Sequence, residues 1–132
     1  MQRLISYNHK GLSRWGVLTS DASGVYPAED LEETYFIPLT DTLEEFIETG
    51  ETGLLSLAHM LEKNKTDASI TPLPFSEITL EAPFRPRRNI FCVGKNYQEH
   101  IKEFEKNQKA ENPVVPIFFT KAVTSVLGPV ES

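Results

Sequence analysis

The stretch most able to do chemistry is Gly94-Lys95-Asn96-Tyr97-Gln98-Glu99-His100-Ile101-Lys102-Glu103-Phe104. It follows a continuous apolar run, Asn89-Ile90-Phe91-Cys92-Val93, that reads as a buried strand, with Cys92 an inert thiol inside it. Gly94 breaks that strand, and Asn96 opens a helix reaching to about Asn107. Asn96 is a good N-cap, and Glu99 three residues on completes a capping box. At 100° per residue, Tyr97, Ile101 and Phe104 form one apolar stripe, with His100 at its edge and Glu103 one turn further toward solvent. A carboxylate at i+3 orients an imidazole and favours its protonated form. A histidine poised near neutral pH is the usual general acid or base. The same spacing also describes an ordinary ion pair on a solvated helix, which on pattern alone is the commoner case.

These residues need elements to hold them. After the helix, Lys109 to Pro116 is polar and proline-bearing, hence loop, and Ile117-Phe118-Phe119-Thr120-Lys121 reads as a second short strand. Thr124 to Gly128 is expected as a third. Upstream, Arg3–Tyr7, Arg14–Thr19 and Gly24–Tyr26 are β-prone runs parted by polar or glycine-containing turns, a small antiparallel meander. Two helices follow. Thr42 with Glu45 makes a capping box, Leu43, Phe46 and Ile47 share a face, and Gly50 suits the C′ position. Thr52 caps the second helix, with Leu54, Leu57, Ala58 and Leu61 as its buried stripe. Pro72 and Pro74 impose an extended passage into Ile78–Leu80. The expected class is therefore α+β, a small meander with two helices followed by the start of a mixed, β-rich fold.

The 132 residues carry a formal charge of −6, unevenly spread. Residues 1–83 hold five Lys/Arg against fourteen Asp/Glu, and residues 84–132 hold eight against five. The sign changes beside Pro83-Phe84-Arg85-Pro86, which marks a boundary between a domain of residues 1–83 and a second of residues 84–132. The acidic balance argues against non-specific nucleic-acid binding. No run approaches the ~20 apolar residues of a membrane-spanning helix. Polar residues interrupt the N-terminal apolar runs, and the lone Cys92 forms no internal disulfide, so a cytoplasmic location is expected. Arg85, Arg87 and Arg88 form a basic knot best read as solvated or paired with acidic neighbours, and Trp15 reads as core or interface.

At residues 88–103 the sequence resembles the opening of the fumarylacetoacetate hydrolase family's catalytic domain, with its G-x-N-Y-x-x-H-x-x-E signature at Gly94, Asn96, Tyr97, His100 and Glu103. Pro113-Val114-Val115-Pro116-Ile117-Phe118-Phe119-Thr120-Lys121, followed by Gly128-Pro129, resembles its second block. The resemblance implies metal-assisted chemistry on small oxo-acids: hydrolysis of acylpyruvates or β-diketo acids, decarboxylation of oxaloacetate-like acids, or isomerisation. It implies Mg²⁺ or Mn²⁺ as cofactor, His100 and Glu103 as the acid/base pair, and Lys121 as positive charge toward a developing enolate. It further implies Asn96 and Tyr97 at the substrate, and a lid over about Lys102–Val115.

Two departures qualify this. Ala122 stands where the family usually has proline, and the family's metal ligands, a Glu-x-Glu pair and a later Asp, lie downstream of the second block. Glu103 and Glu105 do not replace them, pointing about 200° apart on a helix. No metal ligands are therefore assigned here, and the 132-residue chain is expected to be an inactive N-terminal portion of a longer enzyme. With strand edges left open in such a portion, residues 117–132 are expected either to pair with another copy or to be poorly ordered, and a homo-oligomer is expected. The alternative is a non-catalytic module in which residues 1–83 mediate oligomerisation or partner binding.

Overall fold

The structure, a computed structural model, describes residues 2–94 and 117–129. They form two compact units. One runs to Arg85 and takes in the segment from Val126; the other runs from Pro86 to Ser125.

The first unit begins with the expected meander. β1 (Leu4–His9) and β2 (Leu12–Leu18) pair from Leu4 with Val17 to His9 with Leu12, and β2 pairs with β3 (Gly24–Pro27). The β1–β2 turn takes Lys10 and Gly11 at φ 52° and 84°, the doubly left-handed geometry that suits a two-residue hairpin, and Asn8 Oδ1 accepts from Gly11 N–H at 2.9 Å. Two short edge strands complete a sheet of order β4-β3-β2-β1-β5: β4 (Leu73–Pro74) beside β3, and β5 (Thr79–Leu80) beside β1. Pro74 is tolerated because β4 is an edge.

Three helices, not two, cover one sheet face: α1 (Ala28–Tyr35), α2 (Leu43–Glu48) and α3 (Gly50–Asp67). Helix α1 was not foreseen. Its Ala28, Leu31 and Tyr35 are buried with Trp15 and Val17 of β2. Helix α2 starts as expected, Thr42 Oγ1 accepting from Glu45 N–H at 3.3 Å, and Gly50 adopts the left-handed φ of 62° just beyond it. Ile47, however, is exposed while Leu43 and Phe46 are buried. Helix α3 starts two residues ahead of the expected cap, so Thr52 lies inside it. Its fully buried positions are Leu57, Met60 and Asn64; Leu54 faces solvent, and Ala58 and Leu61 are half-buried. The stripe is rotated because Asn64 belongs to the core side. Its Oδ1 accepts from Ile70 N–H at 2.9 Å and lies 3.1 Å from the Tyr35 hydroxyl, which donates to Asp67 Oδ1 at 2.9 Å. Burial and the Asp67 carboxylate raise the Tyr35 phenol. The Asp67 carboxyl is itself lowered: desolvation opposes, but the Ser69 N–H and the Tyr35 hydroxyl prevail.

The second unit holds an antiparallel ribbon, β6 (Ile90–Gly94) and β7 (Ile117–Lys121), paired from Ile90 with Lys121 to Gly94 with Ile117. Both strands were foreseen, but β6 is not a buried strand: Phe91 is 78% exposed and Val93 48%, while Cys92 is half-buried. A ribbon of two strands has no second layer of its own to cover either face. The third strand expected over Thr124 to Gly128 is absent; Val123–Ser125 is a single 3₁₀ turn.

Two substitutions test this packing. Gly16 lies so close to β3 that a Cβ would sit 2.4 Å from Tyr26 O and 2.8 Å from Val25 Cγ2. Gly16→Ala is therefore expected to cost about 2–3 kcal/mol, measured by urea unfolding followed through Trp15 fluorescence. On the opposite sheet face from Trp15, Tyr7 is completely buried, and its hydroxyl has no hydrogen-bond partner among the described residues. Burial pushes its phenol up to about 12, with Arg14 opposing and Asp30 adding. Above about pH 10 the unfolded chain releases a proton that the folded chain keeps. Stability should therefore fall as pH rises from about 10 to 12, by roughly 2 kcal/mol from this group. Tyr7→Phe is expected to remove that share of the alkaline fall and to be neutral or stabilising at pH 7, where it deletes an unpaired hydroxyl.

Candidate functional site

Lys121 is the one sequence-assigned site residue that the described residues include. His100, Glu103, Asn96 and Tyr97, the helix from Asn96 and the lid over Lys102–Val115 lie outside them. Lys121 is exposed at the last position of β7, directly across from Ile90. Alternation puts it on one face of the ribbon with Ile90, Cys92 and Phe119, while Phe91, Val93 and Phe118 line the other. Gly94, from which the His/Glu motif departs, is at the opposite end of the ribbon, four residues away, or roughly 13 Å along the strand. The ribbon therefore does not by itself bring the lysine to the start of the motif.

The first unit carries a cleft of about 330 Å³ that sequence reasoning missed. Its lining includes Ser13, Trp15, Asp41, Glu44, Glu81 and Arg85. Two of its carboxylates already accept hydrogen bonds: Glu81 Oε1 takes Ser13 Oγ–H at 3.0 Å and Asn8 Nδ2–H at 3.4 Å, and Glu44 Oε1 takes Arg85 N–H at 2.7 Å. No histidine, cysteine or lysine lines it, and its Ser6 and Ser13 hydroxyls are both engaged, donating to Pro83 O and Glu81 Oε1. Its residues come from positions 6 to 85, and no local spacing announces such a set.

The other polar groupings are structural. Asp21 sits in the β2–β3 turn, where the Thr19 hydroxyl, then the Ser23 N–H and hydroxyl, hold its carboxyl down at about 2. Arg14 pairs with Glu29, and His9 Nε2 lies 4.0 Å from Glu77 Oε2. Burial, with the repulsion of Glu33, raises the Asp30 carboxyl. Trp15 is core, its Nε1–H donating to Thr40 O at 2.8 Å. Among the described residues no three His, Cys, Asp or Glu side chains converge as a metal ion would require, so these residues do not supply the ligand set that the sequence resemblance implies.

Comparison with known proteins bears on the family of the chain. Residues 89–132 match the family model described as fumarylacetoacetate (FAA) hydrolase, C-terminal. Human oxaloacetate tautomerase FAHD2B, mitochondrial, is 34% identical over 86% of this chain and 32% of its own length. The bovine oxaloacetate tautomerase FAHD2A, mitochondrial, is 30% identical over 98% of the chain and 38% of its own. Oxaloacetate tautomerase YisK of Bacillus subtilis is 36% identical over 54% of the chain and 24% of its own. The chain thus spans about a third of the length of the longest-matching of these relatives. With the family model falling on the segment that carries Gly94, His100, Glu103 and Lys121, the chain belongs to the fumarylacetoacetate hydrolase family.

Proposed function

We propose that this chain contributes the N-terminal unit and the opening catalytic segments of an enzyme acting on small oxo-acids, with oxaloacetate keto–enol exchange as its first candidate reaction. The observation that carries this is the bovine match. It runs over 98% of the chain, through the meander and helices as well as the motif, and its partner is called an oxaloacetate tautomerase. A relative similar over both units favours the enzyme over a free-standing binding module of residues 1–83.

Keto–enol exchange needs a proton moved between carbon and oxygen, and a stabilised enolate between the two states. His100 is the group with the right chemistry to move that proton, and Glu103, one turn along, orients the imidazole. Lys121 supplies a positive charge, and Asn96 and Tyr97 contact the substrate. Hydrolysis and decarboxylation of related oxo-acids pass through the same enolate, so they remain within this proposal. Mg²⁺ or Mn²⁺ belongs to the same reading as cofactor of the longer protein, and no step is derived through it from the residues described. A homo-oligomer in the cytoplasm completes the proposal, with no nucleic-acid or membrane partner.

Two measurements test it. In a protein of the relatives' full length containing this sequence, assayed on oxaloacetate with Mg²⁺, His100→Ala should lower kcat/KM by about 10²-fold or more. Unchanged turnover would sink the assignment. For the 132-residue chain alone, isothermal titration with Mn²⁺ should show no stoichiometric binding; a tight one-to-one isotherm would overturn the proposal that this portion lacks the metal ligands.

A further inference from the structure

Gly128 belongs to the second sequence block, yet nothing in the proposed chemistry uses it. In the first unit it is buried, although its neighbour Leu127 is 54% exposed. A Cβ there would lie 2.8 Å from Ala82 N, 2.8 Å from Glu81 C and 3.0 Å from Glu81 Cα. All three atoms are main chain, so no side chain can swing away to make room. Its φ lies outside the left-handed region, so backbone conformation does not call for glycine; the close approach of two main chains does.

The surface it meets is held firmly. Glu81 N–H donates to Ser6 O at 3.0 Å, and Ser6 Oγ–H donates to Pro83 O at 2.8 Å. The Glu81 carboxylate is held in turn by Ser13 of β2 and Asn8 of β1. Residues 81–83 are thus fastened to β1 and β2 and present a fixed main-chain surface.

We propose that residues 81–83 are a built-in dock for the segment around Gly128, so that the N-terminal unit serves to seat the chain that follows the lysine strand. The occupant is this chain's own Val126–Pro129, and the specificity is steric: only a residue without Cβ fits. This stands apart from the oxo-acid reading, since it rests on packing alone, and it gives residues 1–85 an intramolecular task in place of a free partner-binding one.

Amide hydrogen exchange by mass spectrometry on the 132-residue chain tests it, with Gly128→Ala, Gly128→Val and, as control, Leu127→Ser. Peptides covering 126–128 should exchange at least about tenfold faster in Gly128→Ala and faster still in Gly128→Val, while Leu127→Ser leaves them unchanged. The unfolding transition reported by Trp15 should keep its midpoint in all three. Unaltered protection in Gly128→Val would overturn the dock. So would collapse of the Trp15 transition in Gly128→Ala, which would make the segment part of the core and not a strap seated on it.

Discussion

Trp15 reaches from the middle of β2 into the contact between sheet and helices. Its ring lies 4.6 Å, centroid to centroid, from Phe46 of α2, and its Nε1–H donates to Thr40 O in the link between α1 and α2. One side chain thereby fixes the sheet, the link and the helix together. A large aromatic surface leaves water while its single donor stays satisfied, which is the condition for burying an indole at a profit. The link is held a second time, Leu39 N–H donating to Glu32 Oε2 of α1 at 3.0 Å. Helix α2 has only six residues, too few to persist by propensity, and stands because Thr42 caps it and Phe46 packs on Trp15.

What was legible in the sequence follows from how local each cause is. The meander could be read because alternation and turn residues are local: Tyr7, Trp15 and Val17 fall on buried positions of strands that the pattern foresaw. The start of α2 could be read because a capping box is four residues wide. Helix α1 was missed because four acids crowd its eight residues and hide the Ala28, Leu31, Tyr35 spacing that would have revealed it. The stripe of α3 was misplaced for a less local reason. A polar residue, Asn64, takes a core position by bonding Ile70 and meeting Tyr35, and no apolar periodicity counts an asparagine as inward-facing.

The second unit inverts this balance. The identity of its residues was informative, since a glycine, an asparagine, a tyrosine, a histidine and a glutamate at fixed intervals carry the family resemblance. Their surroundings were not. An apolar run such as Ile90 to Val93 reads as buried in any window, yet Phe91 and Phe118 stand exposed on one face of a two-stranded ribbon. Burial is a property of what covers a strand, and a strand's own sequence records only that it can be covered. The separation of Lys121 from Gly94 has the same origin: each is legible alone, but antiparallel register sets them at opposite ends.

The two units therefore differ in what sustains them. The first closes its own core: three helices and a five-stranded sheet bury Trp15, Leu31, Phe46, Leu57 and Met60 to 3% exposure or less. The second has its described strands in a single ribbon, a form that is marginal in water without a further layer. Among the described residues, Lys121 thus lies in the unit whose strands stay largely exposed, and the buried cluster lies in the unit that carries none of the residues assigned to chemistry. A cation at a strand end becomes part of a site only when other elements fix its separation from its neighbours, and the ribbon, with Lys121 and Gly94 at opposite ends, shows how little of that separation two strands can set.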